Sequence, residues 1–247
     1  MWQTMNIVFT GQVAKDLSSS SEYIEDVYAI SKDSARVVLC DGASESFDSR
    51  TWAELLANKF LYDPDIQSGW ITDVLSCYRG KFDYQQLSWA KQASFDRGSF
   101  STLLGVQFFS DENNIQITGV GDTVAFLLCE GSMIDSYPYT HMDEFQFRPR
   151  LLSTNGEYNE FVSSSDFMHA HNKKWSFDKG KQYHILMMTD AIAEWTLRGV
   201  HSNFFSWERL LRLRHNDELE EIVLEERSTS NMKTDDVTLI NIAFEGD

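Results

Sequence analysis

Eight apolar runs of strand length punctuate this 247-residue chain, at residues 5–10, 27–30, 35–40, 102–109, 115–120, 123–129, 183–188 and 237–244. They are rich in Val, Ile and Phe and are bounded by turn residues, the pattern of half-buried or buried strands. Lys32 to Ser34 and Gly121-Asp122 are hairpin-length separations, which predict antiparallel neighbours. Helical spacing occurs between the runs. Residues 51–61 align Trp52, Leu55, Leu56 and Phe60; residues 203–213 align Phe204, Trp207, Leu210 and Leu211; a further helix is expected at 217–226. The aromatics at these spacings read as core. Because the helices gather after the third strand and before the last, the expected class is α+β: two antiparallel sheets covered by helices.

No internal repeat, long linker or charge block divides the chain, and Ser18–Ser21 and Ser163–Ser165 read as loops, so residues 1–247 are expected to form one domain. Acidic residues number 38 against 21 basic ones, a formal net charge of −17 that disfavours nucleic acid and anionic membrane surfaces as partners. With 42% hydrophobic residues and three prolines the composition is that of a folded protein. The opening MWQTMNIVFTG shows no basic region followed by an apolar stretch, and no apolar run approaches the ~20 residues that cross a bilayer, so a cytoplasmic location is expected. Cys40, Cys77 and Cys129 are odd in number, widely spaced and expected as free thiols.

The informative feature is where acids fall relative to strands. Glu25 and Asp26 immediately precede VYAI and Asp41 follows ARVVLC, so a turn near residues 32–34 brings the three carboxylates to one sheet edge. Asp190 ends YHILMMT, while Asp235 and Asp236 begin VTLINIAF; antiparallel pairing of those strands places their acids together too. Asp122 is expected at the tip of a hairpin. Carboxylates crowded this way repel one another unless a cation neutralises them, and an all-oxygen set suits Mg²⁺ or Mn²⁺ better than Zn²⁺. Each acid also has a plainer reading: Asp at a strand end forms turns, and Asp190 has the position of an N-cap for a helix beginning AIAEW. His169-x-His171 would face one side of a strand without a third ligand nearby, and Cys40 reads as a small buried strand residue.

Taken in order, the motifs resemble those of the PP2C-type, metal-dependent serine/threonine protein phosphatases. Glu25-Asp26 is similar to that family's Glu-Asp-Ala segment and Asp41-Gly42 to its strand-end Asp-Gly. Ser101-Thr102 resembles its Gly-Ser-Thr-Ala strand and Gly121-Asp122-Thr123 its Gly-Asp-Ser turn. Thr189-Asp190-Ala191 resembles Ser/Thr-Asp-Gly, and Asp235-Asp236-Val237-Thr238 the closing Asp-Asn-Ile-Thr. The wording TDAIAEW and DDVTLI is similar to bacterial members. The resemblance spans residues 25–244 and implies a four-layer αββα sandwich with a centre of two Mn²⁺ or Mg²⁺ ions and a weaker third. It implies that Asp41 bridges the two ions, that the Gly42 carbonyl and Glu25 or Asp26 hold one, that Asp190 and Asp235 hold the other, and that Asp122 helps hold the third. Asp41, Asp190 and Asp235 are thereby the expected catalytic set.

Three positions depart from the family pattern. Ser21 stands where the family carries a phosphate-gripping arginine, leaving Lys15 as a substitute that supplies a point charge without the fork. Ala191 replaces a glycine and Asp236 an asparagine. Residues 137–182 correspond to a variable flap and contain Arg148, Arg150, Lys173 and Lys174, of which Arg148 is the expected substrate contact. The function implied is hydrolysis of phosphoserine or phosphothreonine in a protein that a serine/threonine kinase has modified. The alternatives are a phosphatase-like module that binds a phosphoprotein without turnover, and a structural protein that only binds a divalent cation.

Overall fold

The computed structural model describes residues 5–16, 24–44, 46–201 and 205–245. Ser21, where the family's arginine is missing, and Phe204, expected on a helix face, lie outside the described residues. In chain order the elements begin with β1 (Asn6–Val13), β2 (Val27–Ser31), β3 (Arg36–Cys40), α1 (Ser49–Tyr62), α2 (Ser68–Arg79), α3 (Trp89–Arg97), β4 (Phe100–Ser101) and β5 (Leu103–Phe109). There follow β6 (Asn114–Val120), β7 (Val124–Cys129), β8 (Ser132–Tyr137), β9 (Leu152–Ser153), α4 (Phe167–His171) and β10 (Asn172–Ser176). The chain closes with β11 (Gln182–Met188), α5 (Asp190–His201), α6 (Ser206–Leu211), α7 (Asn216–Ser228) and β12 (Val237–Glu245).

Two five-stranded antiparallel sheets form, in the orders β1-β12-β11-β7-β8 and β10-β6-β5-β3-β2, with β4 and β9 as a separate pair. Period-2 alternation along β3 shows how they stack. Val37 and Leu39 point into an inter-sheet core with Leu104, Ile117, Ile185 and Ile240, while Val38 and Cys40 face Trp52, Leu56 and Phe60 of α1. On the other sheet Phe126, Leu186 and Leu239 face Ile192 of α5, Trp207 of α6 and Leu219 of α7. The layers are therefore helix, sheet, sheet, helix, as expected.

α1 starts where Asp48 caps it, its carboxylate accepting from the Thr51 N–H at 3.1 Å, and ends after Phe60 has been buried against β5. Gly105 of β5 makes that packing possible, since an added Cβ would lie 2.5 Å or less from three ring atoms of Phe60, itself 1% exposed. Gly105→Ala is expected to lower unfolding free energy by about 1–3 kcal/mol through overpacking, read by urea denaturation; unchanged stability would contradict this packing.

The structure corrects one connection. β6 and β7 do not pair: β6 belongs to one sheet and β7 to the other, so Gly121-Asp122 is a corner between sheets. Gly121 has φ +100°, a left-handed conformation that glycine adopts without strain, and its missing Cβ leaves room for Thr102. The expected His169-x-His171 strand is instead the short helix α4, where His171 stacks on Phe167 and its Nδ1 meets the Gly119 carbonyl at 2.9 Å. Between 137 and 171 the chain forms short 3-10 turns, β9 and α4, and then β10 joins the edge of a main sheet.

Candidate metal centre

Register places the acids. Val27 pairs with Cys40, so Asp26 and Asp41 flank the same end of β2 and β3. Met188 pairs with Leu239, so Asp190 and Asp235 leave β11 and β12 at one end. A buried hydroxyl joins the two sheets there: Thr238 Oγ1 donates to Asp26 Oδ2 at 2.7 Å and accepts from Gln12 Nε2 at 3.0 Å. The corner at Gly121 delivers Asp122 to the same place. Thr102 fixes Asp41 through two bonds, its N–H donating to the Asp41 carbonyl at 2.9 Å and its Oγ1 accepting from the Asp41 N–H at 2.8 Å. That same Oγ1 lies 2.6 Å from Thr123 Oγ1, beside Asp122.

The carboxylates act on one another. Burial pushes the Asp41 carboxyl well above its ordinary range, and Asp26, Asp190, Asp122 and Asp235 add to it. Burial, with Asp236 and Asp190 adding, raises Asp26 to about 8, and burial with Asp190 raises Asp122 to about 6. Asp235 is also raised, by burial and by Asp190. Glu25 moves the other way: burial opposes its charge, but the Lys15 ammonium 2.6 Å from Oε2 and the hydroxyls of Ser44 and Ser49 outweigh it and lower its pKa. Cys40 is fully buried with its thiol pushed up, so it is no nucleophile.

Asp190 does not behave as an N-cap. Its Oδ2 is bonded to Lys233 Nζ, its Oδ1 is buried with no hydrogen-bond partner, and the Ala193 N–H instead donates to the Thr189 carbonyl at 3.0 Å. Asp236 accepts from the Lys15 N–H at 2.8 Å and the Glu25 N–H at 2.9 Å, and so ties together the two ends of the β1–β2 connection.

The donor set fits a hard divalent cation: every candidate ligand is oxygen, Asp190 Oδ1 is an orphaned buried acceptor, and the crowded carboxyls oppose one another's ionisation. Gly42 adds to the fit, because a Cβ there would lie 2.9 Å from the Glu25 carbonyl; the missing side chain lets the Asp41-Gly42 turn sit against Glu25. As the side chains stand, no three His, Cys, Asp or Glu residues among the described residues are grouped to hold an ion. Ammonium groups stand on the acids instead, Lys15 on Glu25 and Lys233 on Asp190.

A groove of about 850 Å³ opens from Asp235, its walls including Ser44, Arg97, Phe100, Arg148 and Tyr158. Arg148 thus lies on the approach to the acids, and Arg150, over the Phe161 ring at 5.7 Å, lines an adjoining pocket. Lys173 and Lys174 are engaged at the sheet edge, 3.0 Å from Asp135 and 3.1 Å from Glu112, and supply nothing to the groove. Lys15 Nζ also donates to Ser44 Oγ at 2.5 Å, which places it at the rim of the same groove.

Sequence reasoning missed Lys233, whose only sign was a basic residue two positions before Asp235. It also missed Arg227, which donates to the Asp235 carbonyl and, at 3.0 Å, to the Ala14 carbonyl. Neither lies in a motif, and their partners are distant in sequence or are backbone.

No protein-family model matches the chain, and no curated protein matches it in sequence. Solved structures do. The catalytic domain of the serine/threonine protein phosphatase PstP in complex with two manganese ions is similar over 98% of this chain and 99% of that one, at TM-score 0.55 and 14% identity. The Mycobacterium tuberculosis serine/threonine phosphatase PstP/Ppp is similar over 98% and 100%, at TM-score 0.55 and 15% identity. The photosystem II phosphatase PBCP is similar over 95% and 97%, at TM-score 0.51 and 14% identity. At such identities the likeness is one of fold, and the chain has the PP2C-type fold that its motifs resemble.

Proposed function

We propose that this chain, with its PP2C-type fold, is a divalent-metal-dependent phosphatase acting on phosphoserine or phosphothreonine of a protein. One observation carries the reading: five aspartates from both sheets, Asp26, Asp41, Asp122, Asp190 and Asp235, act on one another at one end of the sandwich, and a groove leads away from them. Two Mn²⁺ or Mg²⁺ ions, when bound, supply activation of a water for in-line attack on phosphorus and neutralisation of the phosphoryl oxygens.

The chain's own residues would share the remaining work. Asp41, fixed by Thr102, would bridge the ions; Asp190 and Asp235 would hold one of them; the Gly42 carbonyl and Glu25 would hold the other. Asp26, 2% exposed and bonded through Oδ2 to Thr238, is the alternative to Glu25, whose two oxygens accept from Ser49 and Lys15. Asp122 would assist a third ion. Lys15 and Arg148 would bind substrate, Lys15 as a point charge near the scissile phosphate and Arg148 farther along the groove. The partners are then a phosphorylated protein and the serine/threonine kinase that modifies it. Among the described residues no helix is long and apolar enough to cross a membrane, and a cytoplasmic location is part of the proposal.

A second reading, a phosphatase-like module that binds phosphoprotein without turnover, is favoured by the ammonium groups on Glu25 and Asp190. Phosphate release from a phosphothreonine peptide with Mn²⁺, with Mg²⁺ and with EDTA separates the two. Metal-dependent release supports the phosphatase; peptide binding without release in any metal supports the module. For the phosphatase, Arg148→Ala is expected to raise KM for the peptide on the order of tenfold with a smaller effect on a small aryl phosphate, whereas Lys15→Ala is expected to raise KM for both. An equal loss on both substrates for Arg148→Ala would remove Arg148 from peptide recognition.

A further inference from the structure

Lys233 lies in the short segment between α7 and β12 and sends its ammonium to Asp190. Among the described residues it is the only hydrogen-bond donor to that carboxylate, whose other oxygen stays buried and bare. The pair is an ion pair in which the lysine side chain is 39% and the Asp190 side chain 12% exposed, so the ammonium neutralises a largely buried carboxylate that is one of the proposed ligands.

A divalent cation on the free Oδ1 of Asp190 would sit close beside the ammonium on Oδ2 of the same carboxylate. The ammonium donates hydrogen bonds but has no Lewis acidity, and at contact distance the two charges repel strongly in a partly buried site. The lysine also has a way out, since its side chain is 39% exposed and its four-carbon stem is flexible. Lys15 differs from it. It is shared between Glu25 and Ser44, and Glu25 keeps Ser49 as a second donor, so that side of the centre does not depend on one group.

We propose that Lys233 is a built-in competitor for the divalent cation on the Asp190–Asp235 side of the centre, neutralising that side without metal and withdrawing to solvent when metal loads. The inference rests on reading the centre as a divalent-cation site. By linkage, each cation weakens the other by the same factor, so metal affinity is set partly by the lysine.

The test is calorimetric titration of Mn²⁺ into the EDTA-stripped full chain at one fixed pH, for wild type, Lys233→Met and Lys233→Gln. Met keeps the length of the stem without charge, and Gln keeps a donor without charge. Both variants are expected to bind Mn²⁺ tighter on the order of tenfold, as expected for removing one unit charge at contact distance. Without metal both are expected to melt below wild type. A dissociation constant within twofold of wild type in both variants, or a weaker one, overturns the competitor role and leaves the centre standing. Absence of Mn²⁺ binding in all three proteins overturns the centre and this inference together.

Discussion

Asp41→Asn is expected to abolish Mn²⁺-dependent phosphate release while leaving the fold intact, a loss on the order of 10³-fold or more. The residue ends β3, and Thr102 fixes it through its backbone N–H and carbonyl, so the substitution leaves those two bonds in place. What changes is a carboxylate that four other aspartates oppose. If that carboxylate bridges two ions, replacing it by an amide removes a negative ligand from both, and several kcal/mol of transition-state stabilisation convert to the stated factor. The same replacement removes a carboxyl whose ionisation the fold opposes, so the metal-free protein is expected to melt a few degrees higher than wild type. The opposite signs are the diagnostic: activity falls while stability rises. Near-wild-type turnover in Mn²⁺ would show that the bridging assignment is wrong.

The metal-free protein is expected to lose stability as pH rises from about 5 to about 8, by on the order of 10 °C in unfolding midpoint, and Mn²⁺ is expected to restore it. Asp26, raised to about 8, and Asp122, raised to about 6, keep protons in the folded chain that the unfolded chain releases near pH 4. Asp41 and Asp235 are raised in the same direction. A carboxyl raised on folding contributes stability that is present below its unfolded pKa and disappears as pH rises through its folded one, so the window lies between these limits. Glu25 is lowered and acts only at the acid end, while Lys15 and Lys233 are raised and lose their contribution only above their unfolded value of 10.5. Thermal scans with EDTA and with Mn²⁺ across this range check the sign. A midpoint that rises with pH in EDTA would mean that the carboxylates are compensated already and do not form a strained cluster.

Much of the fold was legible because burial writes itself into composition. The eight expected strands carry continuous or alternating apolar residues, and all eight form, the edge strands β1 and β2 among them. The edge strands β8 (SMIDSY) and β10 (NKKWS) were not legible: an edge strand faces solvent on one side, and charged residues there protect against unwanted pairing, so their sequences resemble loops. The turn at Gly121-Asp122 was read as a hairpin because two short-spaced strands usually pair, but partner choice depends on the whole sandwich. Asp26 with Asp41, and Asp190 with Asp235, were legible as pairs because each rests on the register of adjacent strands. Lys233 and Arg227 were not, since a lone basic residue on a loop is ordinary until tertiary structure brings it to its acid or carbonyl.

The most direct test of the centre is the initial rate of p-nitrophenyl phosphate hydrolysis against Mn²⁺ concentration, wild type beside Asp190→Asn, with EDTA as the zero. A saturable, Mn²⁺-dependent rate is expected in wild type, removed by EDTA and lowered by orders of magnitude in Asp190→Asn. A wild-type rate indifferent to Mn²⁺ and EDTA, or an Asp190→Asn rate equal to wild type, would contradict the proposed centre.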